Sequence, residues 1–325
     1  MIILRDGEFN TMTAQKSVVT IGVFDGLHRG HQAVIGQVIA HSKECDALST
    51  VVTFDPSPAM VLAPTRAPRL LATLDQRLEG IEALDVDQVR VLTFDATLAK
   101  ESARHFIERV LVAELGTKGV VVGDDFHFGH DREGTVATLV EAGAELGFRV
   151  WPAPLYGEGE RWSSTSVRAA LARGDLEAAK SILGRPFTLR GTVVHGDERG
   201  EELGYPTANL EVAAHQQLPE EGVYAGATTR DGKWWPAAIS VGTRPQFYEH
   251  GALVVEVHVL GFEGDLYESS LDVVFLARLR AQTTFSNVDE LTAQIELDVV
   301  ETRQIFEKFT PEETELLRWT LGQRR

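Results

Sequence analysis

Apolar positions in the first half of the chain follow two alternating rhythms. Val18-Val19-Thr20-Ile21 is a short, nearly continuous apolar run of strand length, and Val34, Ile35, Val38 and Ile39 then recur at helical spacing. Thr50-Val51-Val52-Thr53-Phe54 predicts a second strand, residues 75–84 a helix, Val89-Arg90-Val91-Leu92 a third strand and residues 101–115 another helix. Val120-Val121-Val122, a helix over 135–146 and Phe148-Arg149-Val150 complete the series. Strands alternating with helices predict a parallel sheet covered on both faces, with ligands beyond the strand C-termini.

Two short helices follow, near 164–172 and 176–183, and the rhythm changes at Gly184-Arg185-Pro186. From there the pattern is short β runs: Thr188–Val194, Gly222–Thr229, Trp234–Val241, Leu253–Leu260 and Leu271–Leu276. Asp231-Gly232 between two of them reads as a hairpin turn. Closely spaced strands of this kind predict a small antiparallel β-barrel. The end is helical again. Asn287 and Glu290 have capping-box spacing before a stripe of Leu291, Ile295 and Val299, and Thr310-Pro311-Glu312-Glu313 repeats the box with proline at the first helical position. The expected fold class is α/β: a Rossmann-like parallel-sheet domain over 1–184, then a small antiparallel β-barrel with C-terminal helices over 185–325.

The length of 325 residues fits this division, because single domains usually run to ~100–200 residues. Lys plus Arg number 31 and Asp plus Glu 48, a net charge of −17. So acidic a chain is a poor partner for nucleic acid or an anionic membrane, and neither is expected. Any phosphate it binds needs a local cation or a backbone N–H site. The lone cysteine, Cys45, excludes an internal disulfide and a Cys-rich zinc site. No run approaches ~18 apolar residues, so no membrane span is expected. Arg5, Asp6 and Glu8 stand where a secretory signal would be apolar, and a cytoplasmic location is expected.

Candidate chemistry begins at Gly22-Val-Phe-Asp-Gly-Leu-His-Arg-Gly-His31, between the first strand and the first helix. Gly22, Gly26 and Gly30 let backbone approach a ligand closely. His31 falls at or near the helix start, beside free N–H groups and the positive end of the helix dipole. His28 and His31, three apart, can both reach one phosphate and stabilise charge developing in a transition state. The bare spacing also suits a turn with two surface histidines, or half of a metal site. Trp162-Ser163-Ser164-Thr165-Ser166-Val167-Arg168 opens a later helix. Its hydroxyls can cap that helix or hold phosphate, and Arg168 can bind phosphate through its guanidinium fork. Gly123-Asp124-Asp125-Phe126-His127-Phe128-Gly129 follows the fourth strand. It suits either a nucleoside contact at the sheet edge or an acidic loop packing its own aromatics.

A second candidate lies in Gly200-Glu-Glu-Leu-Gly-Tyr-Pro-Thr-Ala-Asn209. Its glycines suit a phosphate-approaching loop. Thr207 and Asn209, two apart in an extended segment, face one side and can co-ligate Mg²⁺, which prefers oxygen. A proline turn before a polar strand is the plainer alternative. In Val254-Val-Glu-Val-His-Val-Leu260 the valines 255, 257 and 259 face one way and Glu256 and His258 the other. Glu256 is a general base if it meets an acceptor hydroxyl, and a solvent-facing strand glutamate otherwise.

The first string resembles the His-x-Gly-His signature of the nucleotidyltransferase superfamily, and Ser-Ser-Thr-Ser-Val-Arg168 resembles that superfamily's Ser-Ser-Thr-x-x-Arg element. Leu-Gly-Tyr-Pro-Thr-Ala-Asn209, Gly222-Val-Tyr-Ala-Gly, Gly242-Thr-Arg-Pro-x-Phe247 and Val255-Glu-Val-His258 occur in the order of the riboflavin kinase module. Together the chain resembles the bacterial bifunctional riboflavin kinase/FAD synthetase family over residues 15–310. The resemblance implies that the barrel phosphorylates riboflavin with MgATP to FMN, and that the first half adenylylates FMN to FAD with release of pyrophosphate. It assigns His28, His31, Arg168 and Glu256 to catalysis. It assigns Gly22, Phe24, Gly30, His31, Ser164, Thr165, Arg168, Gly200, Thr207 and Asn209 to ATP, with Thr207 and Asn209 also on Mg²⁺. Phe54, Pro56 and Pro58, with Asp125, Phe126 and Phe128, would lie towards the flavin.

Three positions depart from the family pattern: Ser57 where histidine is frequent, Glu201 where a basic residue is frequent, and Ser240 where asparagine is usual. Riboflavin, FMN, FAD and ATP are the expected partners, and a weak or transient homo-oligomer remains open. An adenylyltransferase for another phosphate-bearing acceptor leaves the barrel unexplained. A non-catalytic flavin or nucleotide sensor leaves the intact His28, His31, Thr207, Asn209 and Glu256 unexplained.

Overall fold

A computed structural model describes residues 1–7, 16–154, 156–158, 160–196, 204–243, 253–310 and 317. These form two compact units. The first holds Met1–Pro68 and Leu74–Ser163; the second holds Arg69–Thr73 and the described residues from Ser164 on.

The first unit is a six-stranded, all-parallel sheet. Its strands are β1 (Ile2–Leu4), β2 (Ser17–Ile21), β3 (Leu48–Asp55), β4 (Gln88–Thr93), β5 (Thr117–Gly123) and, after the short β6 (His127–Phe128) and β7 (Gly134–Thr135), β8 (Arg149–Ala153). The spatial order is β1-β4-β3-β2-β5-β8. The chain therefore winds outward from β2 in both directions, and the switch point lies between β2 and β5. Successive valines face opposite layers, as a pleated strand requires. Val52, Val120 and Val122 pack with Phe106, Ile107, Val110, Leu111 and Leu139, while Val51, Val89 and Val91 pack with Ile35, Leu78 and Ile81. The covering helices are α1 (Arg29–Glu44), the short α2 (Pro58–Leu62), α3 (Leu74–Glu82), α4 (Ala103–Phe106) running on into a wider-wound stretch (Ile107–Glu114), and α5 (Val136–Leu146). Arg90 interrupts the apolar run of β4. It is buried there because Glu114 at 3.1 Å and Asp6 at 2.6 Å neutralise it. The sequence pattern misses β1, whose three residues are too few and too exposed to register as an apolar run.

The second unit opens with α6 (Ser164–Leu171) and α7 (Leu176–Leu183). Six strands follow: β11 (Phe187–Val194), β12 (Ala208–Val212), β13 (Gly222–Arg230), β14 (Lys233–Thr243), β15 (Leu253–Val259) and β16 (Ser270–Arg280), numbered after the short β9 (Gly157–Glu158) and β10 (Glu160–Arg161) of the first unit. They close into an antiparallel barrel in the order β11-β12-β15-β14-β13-β16. Leu189, Tyr224, Ile239, Val257, Val273 and Phe275 fill it. The β13–β14 hairpin turns at Asp231 and Gly232, both with positive φ (53° and 73°), which suits a two-residue hairpin loop.

The sequence change at 184–186 and the division of the compact units do not coincide. The change marks where helices give way to strands. Packing joins α6 and α7 to the barrel, because Val167, Ala170, Leu171, Leu176, Ala179 and Leu183 share one apolar cluster with Phe187, Leu189 and Tyr224.

The last described helix, α8 (Val288–Glu307), starts as its capping residues predict, with the Asn287 side chain accepting from the Glu290 N–H at 2.9 Å. The expected stripe of Leu291, Ile295 and Val299 is only half-buried. The fully buried positions of α8 are Asp298, whose carboxylate takes Arg280 at 2.7 Å, and Thr302. The second capping box lies outside the described residues beyond Thr310.

Gly226 of β13 tests how tightly the barrel is closed. A Cβ there would lie 2.3 Å from the Val274 carbonyl oxygen and 2.4 Å from Ile239 Cδ1. Backbone cannot yield as a flexible side chain can, so Gly226→Ala is expected to destabilise the barrel by ~1–3 kcal/mol. The measurement is urea denaturation followed by fluorescence, with Trp234 and Trp235 reporting on the barrel. An unchanged midpoint would contradict this closure.

Candidate functional site

The first candidate site begins where β2 ends. Gly22 N–H donates back to the Val52 carbonyl at 3.0 Å, which holds the chain in line with the sheet for one residue more. Then Phe24 (φ 55°), Gly26 (φ 75°) and Leu27 (φ 45°) turn the backbone sharply. Such angles are unfavourable for Phe and Leu, and burial of both side chains holds them in place. His28 is the N-cap of α1. Its Nδ1 accepts from the His31 N–H at 3.4 Å, and the two imidazoles stack with centroids 3.6 Å apart. Phe24 meets the His31 ring edge-on at 5.1 Å.

Two glycines keep this arrangement compact. A Cβ at Gly30 would sit 3.1 Å from His28 Nδ1 and 3.4 Å from the Trp162 carbonyl oxygen, and one at Gly22 would sit 3.2 Å from the Phe24 ring. The Arg29 guanidinium lies 5.6 Å over the Trp162 indole. Burial, and secondarily the neighbouring His28, holds His31 well below the ordinary imidazole range. Its Nδ1 is buried with no hydrogen-bond partner among the described residues. The result is a neutral imidazole at the third helical position, among the N–H groups that begin α1.

The aromatic candidates gather at the same end of the sheet. Phe54 is the penultimate residue of β3, and Phe126 and Phe128 follow β5; all three pack against one apolar cluster. Phe126 and Phe128 stack at 5.4 Å, and Phe54 meets Phe94 edge-on at 5.8 Å. Phe94, which follows β4, has no partner pattern in the sequence to single it out. Pro56 and Asp125 are exposed, and the Asp55–Pro56 peptide is cis. Pro58 begins α2, and Ser57 before it is buried and makes no capping bond.

Ser164 and Thr165 open α6 in the second unit, with Arg168 one turn on. The Arg168 Nε donates to the Arg69 carbonyl of the same unit. Trp162, two residues before α6, belongs to the first unit and is the residue of that segment that packs beside the histidine loop.

In the barrel, three strands bring three polar side chains into one row. Asn209 of β12 stands opposite Glu256 of β15, and Glu256 stands opposite Ser240 of β14. Directly paired residues project to the same face, here the outer face, since Val255 and Val257 point into the core. Asn209 is buried and Glu256 half-buried. Thr207 precedes β12 by one residue.

Glu256 and Ser240 line a cavity of about 580 Å³ together with Glu221, Gln282, Thr283 and Thr284. Gln282 Nε2 donates to Ser240 Oγ at 3.0 Å and to the Val241 carbonyl at 3.1 Å. The departure at Ser240 thus leaves a hydroxyl that anchors the cavity wall. His258, on the same face of β15, reaches the loop before β12, its Nδ1 2.7 Å from the Pro206 carbonyl oxygen. Gly196 must lack a side chain, because a Cβ there would fall 1.9 Å from Asn209 Nδ2. Gly200, Glu201 and the Arg-Pro-x-Phe part of the string after Gly242 lie outside the described residues.

Sequence reasoning passes over Gln282 and Arg77. Nothing local marks Gln282, which precedes α8 and reaches the cavity only through barrel closure. Arg77 carried a signal: it is a cation adjoining Leu78 and near Ile81, on the inner side of an amphipathic helix, and is 1% exposed.

The chain thus has two modules, each with a candidate site: a turn of stacked histidines at a sheet's switch point, and a carboxylate–amide row beside a barrel cavity. The FAD synthetase family matches residues 10–166 and the riboflavin kinase family residues 183–306. The bifunctional riboflavin kinase/FMN adenylyltransferases of Pseudomonas fluorescens and Escherichia coli K12 are 41% and 40% identical, each over 89% of this chain and 92% of their own. A crystal structure described as a macrolide-efflux protein from Streptococcus pneumoniae is 29% identical, with a TM-score of 0.82 over 93% of this chain and 99% of that one. Among the described residues no helix is long and apolar enough to cross a membrane. The chain belongs to the bifunctional riboflavin kinase/FMN adenylyltransferase family, with an FAD synthetase module followed by a riboflavin kinase module.

A depressed His31 has a signed consequence. In the unfolded chain this imidazole takes up its proton near 6.5, whereas in the folded protein it stays neutral well below that. Over that interval the unfolded state binds more protons, so stability falls as pH drops beneath about 6.5. His31→Gln is expected to flatten this part of the stability–pH curve. Imidazole NMR should show His31 titrating well below 6.5; a normal titration would refute the buried neutral state.

Proposed function

We propose that the two candidate sites divide the two reactions between them, with residues 1–184 making FAD and residues 185–325 making FMN. In the kinase module Glu256 takes the proton of the ribityl 5′-hydroxyl of riboflavin. The freed oxygen bonds to the γ-phosphorus of ATP, and the bond to ADP breaks. The row Asn209–Glu256–Ser240 supports this, because it sets a carboxylate at the wall of a cavity beside a buried amide.

Thr207 and Asn209 would hold Mg²⁺, an ion that takes oxygen ligands and phosphates. The donor set fits, since both side chains offer oxygen and Glu256 stands directly across from Asn209. When bound, the ion neutralises phosphate charge during transfer.

In the FAD synthetase module no protein nucleophile is needed. An FMN phosphate oxygen bonds to the α-phosphorus of ATP while the bond to pyrophosphate breaks. Catalysis is positioning and electrostatic stabilisation. His28, His31 and the first N–H groups of α1 serve the phosphates, with Gly22, Phe24 and Gly30 shaping their approach. Ser164, Thr165 and Arg168 supply further phosphate contacts. Phe54, Pro56, Pro58, Asp125, Phe126 and Phe128 face FMN. The stacked His28–His31 pair at the start of α1 is the observation that carries this reading. A neutral His31 can donate a hydrogen bond without depending on protonation, which suits a site working near neutral pH. The single cysteine, which cannot form an internal disulfide, favours a cytoplasmic setting.

Two substitutions separate the reactions. Glu256→Gln is expected to lower FMN formation from riboflavin by at least ~10²-fold and leave FMN→FAD conversion intact. His31→Ala should do the reverse. The assay is chromatographic separation of flavins after incubation with MgATP. If either variant, folded, lost both activities, the two-site assignment would fail.

A further inference from the structure

We propose that Arg77 is a positioning residue for adenylyl transfer, a buried clamp that sets the distance between the ATP loop and the flavin loop. The proposal rests on the assignment of Gly22–His31 to ATP and of Phe54–Pro58 to the flavin.

The geometry of one guanidinium carries it. Arg77 projects from α3 and is 1% exposed. Its Nη1 donates to the Val23 carbonyl at 2.8 Å and to Thr53 Oγ1 at 3.1 Å. Nη1 and Nη2 both reach the Phe54 carbonyl, at 3.4 and 3.3 Å, and Nη2 lies 3.9 Å from Asp55 Oδ1. The Thr53 hydroxyl also donates to the Val23 carbonyl, at 3.2 Å. Nε is buried with no hydrogen-bond partner among the described residues, so the grip lies in the two terminal nitrogens.

Val23 and Phe54 belong to different loops. Val23 is the first residue of the ATP loop beyond Gly22, and the Phe24 that follows it abuts His31. Phe54 leads directly into Asp55-Pro56-Ser57-Pro58. One rigid planar cation therefore holds the starting carbonyls of both loops.

A cation in this position also needs a reason to be kept there. Burial works against its charge, and Asp25 in the ATP loop and Asp55 in the flavin loop work in its favour. Each loop thus contributes one carboxylate and one carbonyl to the same guanidinium. Inert packing would be met as well by leucine or methionine. A bidentate fork shared by two loops is suited to fixing a distance. In a reaction that depends on aligning an FMN oxygen with an α-phosphorus, displacement of one loop by about an ångström is worth about 10²-fold in rate.

Steady-state kinetics of FMN→FAD on the full chain test this, with kcat normalised to the folded fraction of the first unit by pre-steady-state titration of its ATP sites and FMN formation from riboflavin as control for the second unit. Arg77→Met removes the grip, and Arg77→Lys keeps the charge while losing the fork. For Arg77→Met, kcat of adenylyl transfer should fall about 10- to 100-fold, KM for ATP and for FMN should change less than about threefold, and FMN formation should be unaffected. Arg77→Lys should fall between Arg77→Met and the parent protein. Should Arg77→Met fail to fold, Arg77→Lys decides alone, by a loss of kcat of about threefold or more at nearly constant KM.

Parental kcat in folded Arg77→Lys and Arg77→Met would overturn the proposal. So would a loss confined to KM, or a parallel fall in both activities that tracks thermal stability. His31→Ala, assayed alongside, keeps the two ideas separate. If His31→Ala stays active, the site assignment itself is wrong; if it is inactive while Arg77→Met is normal, only the clamp is wrong.

Discussion

Parallel pairing of Ser17–Ile21 with Leu48–Asp55 on one side and Thr117–Gly123 on the other is the constraint from which the first site follows. Parallel strands in register end at the same edge, so the segments that leave β2, β3 and β5 emerge side by side. Those segments carry the two histidines, Phe54 with its proline pair, and Phe126 with Phe128. None of the three has a ligand-binding shape alone. The sheet supplies the shared edge, and the Arg77 guanidinium ties the first two carbonyl ends together within it.

The barrel applies the same logic with antiparallel ladders. Asn209, Glu256 and Ser240 come from three strands separated by 47 residues at most, and cross-strand pairing lines them up on one face. The opposite face of the same strands is apolar and fills the core. A shift of one residue in β15 would turn Glu256 inward and a valine outward. Core burial on one face therefore guarantees the polar row on the other, and Gln282 braces its Ser240 end.

Phosphate chemistry in a chain of net charge −17 requires local solutions. What the first candidate site offers is a helix start, a neutral His31 and backbone N–H groups. Two nearby cations also serve the structure: Arg77 holds two loop carbonyls, and Arg168 bonds in part to the Arg69 carbonyl. This explains how a strongly acidic protein can belong to a family that handles two nucleotides.

Much of this was legible in the sequence because it is local. Short apolar runs mark strands, helical spacing marks their covering helices, and the glycine–histidine string between β2 and α1 carries its own turn chemistry. The capping residue Asn287 and the Asp231-Gly232 turn work within a few residues and needed no partner to be read. What depends on chain segments far apart was not legible. β1 acquires its identity only by pairing with β4, and β12, a short polar strand, by closing the barrel. Helices α6 and α7 join the barrel because their buried faces meet its core, although the sequence changes character only after them. Gln282 reaches its cavity from beyond β16, and Arg77 spans loops 54 and 23 residues away. Sequence by itself determined which residue types are candidates to meet phosphate and flavin. Only the tertiary structure decided which of them share a face, an edge or a single guanidinium, because register and burial are properties of paired segments and no segment holds them alone.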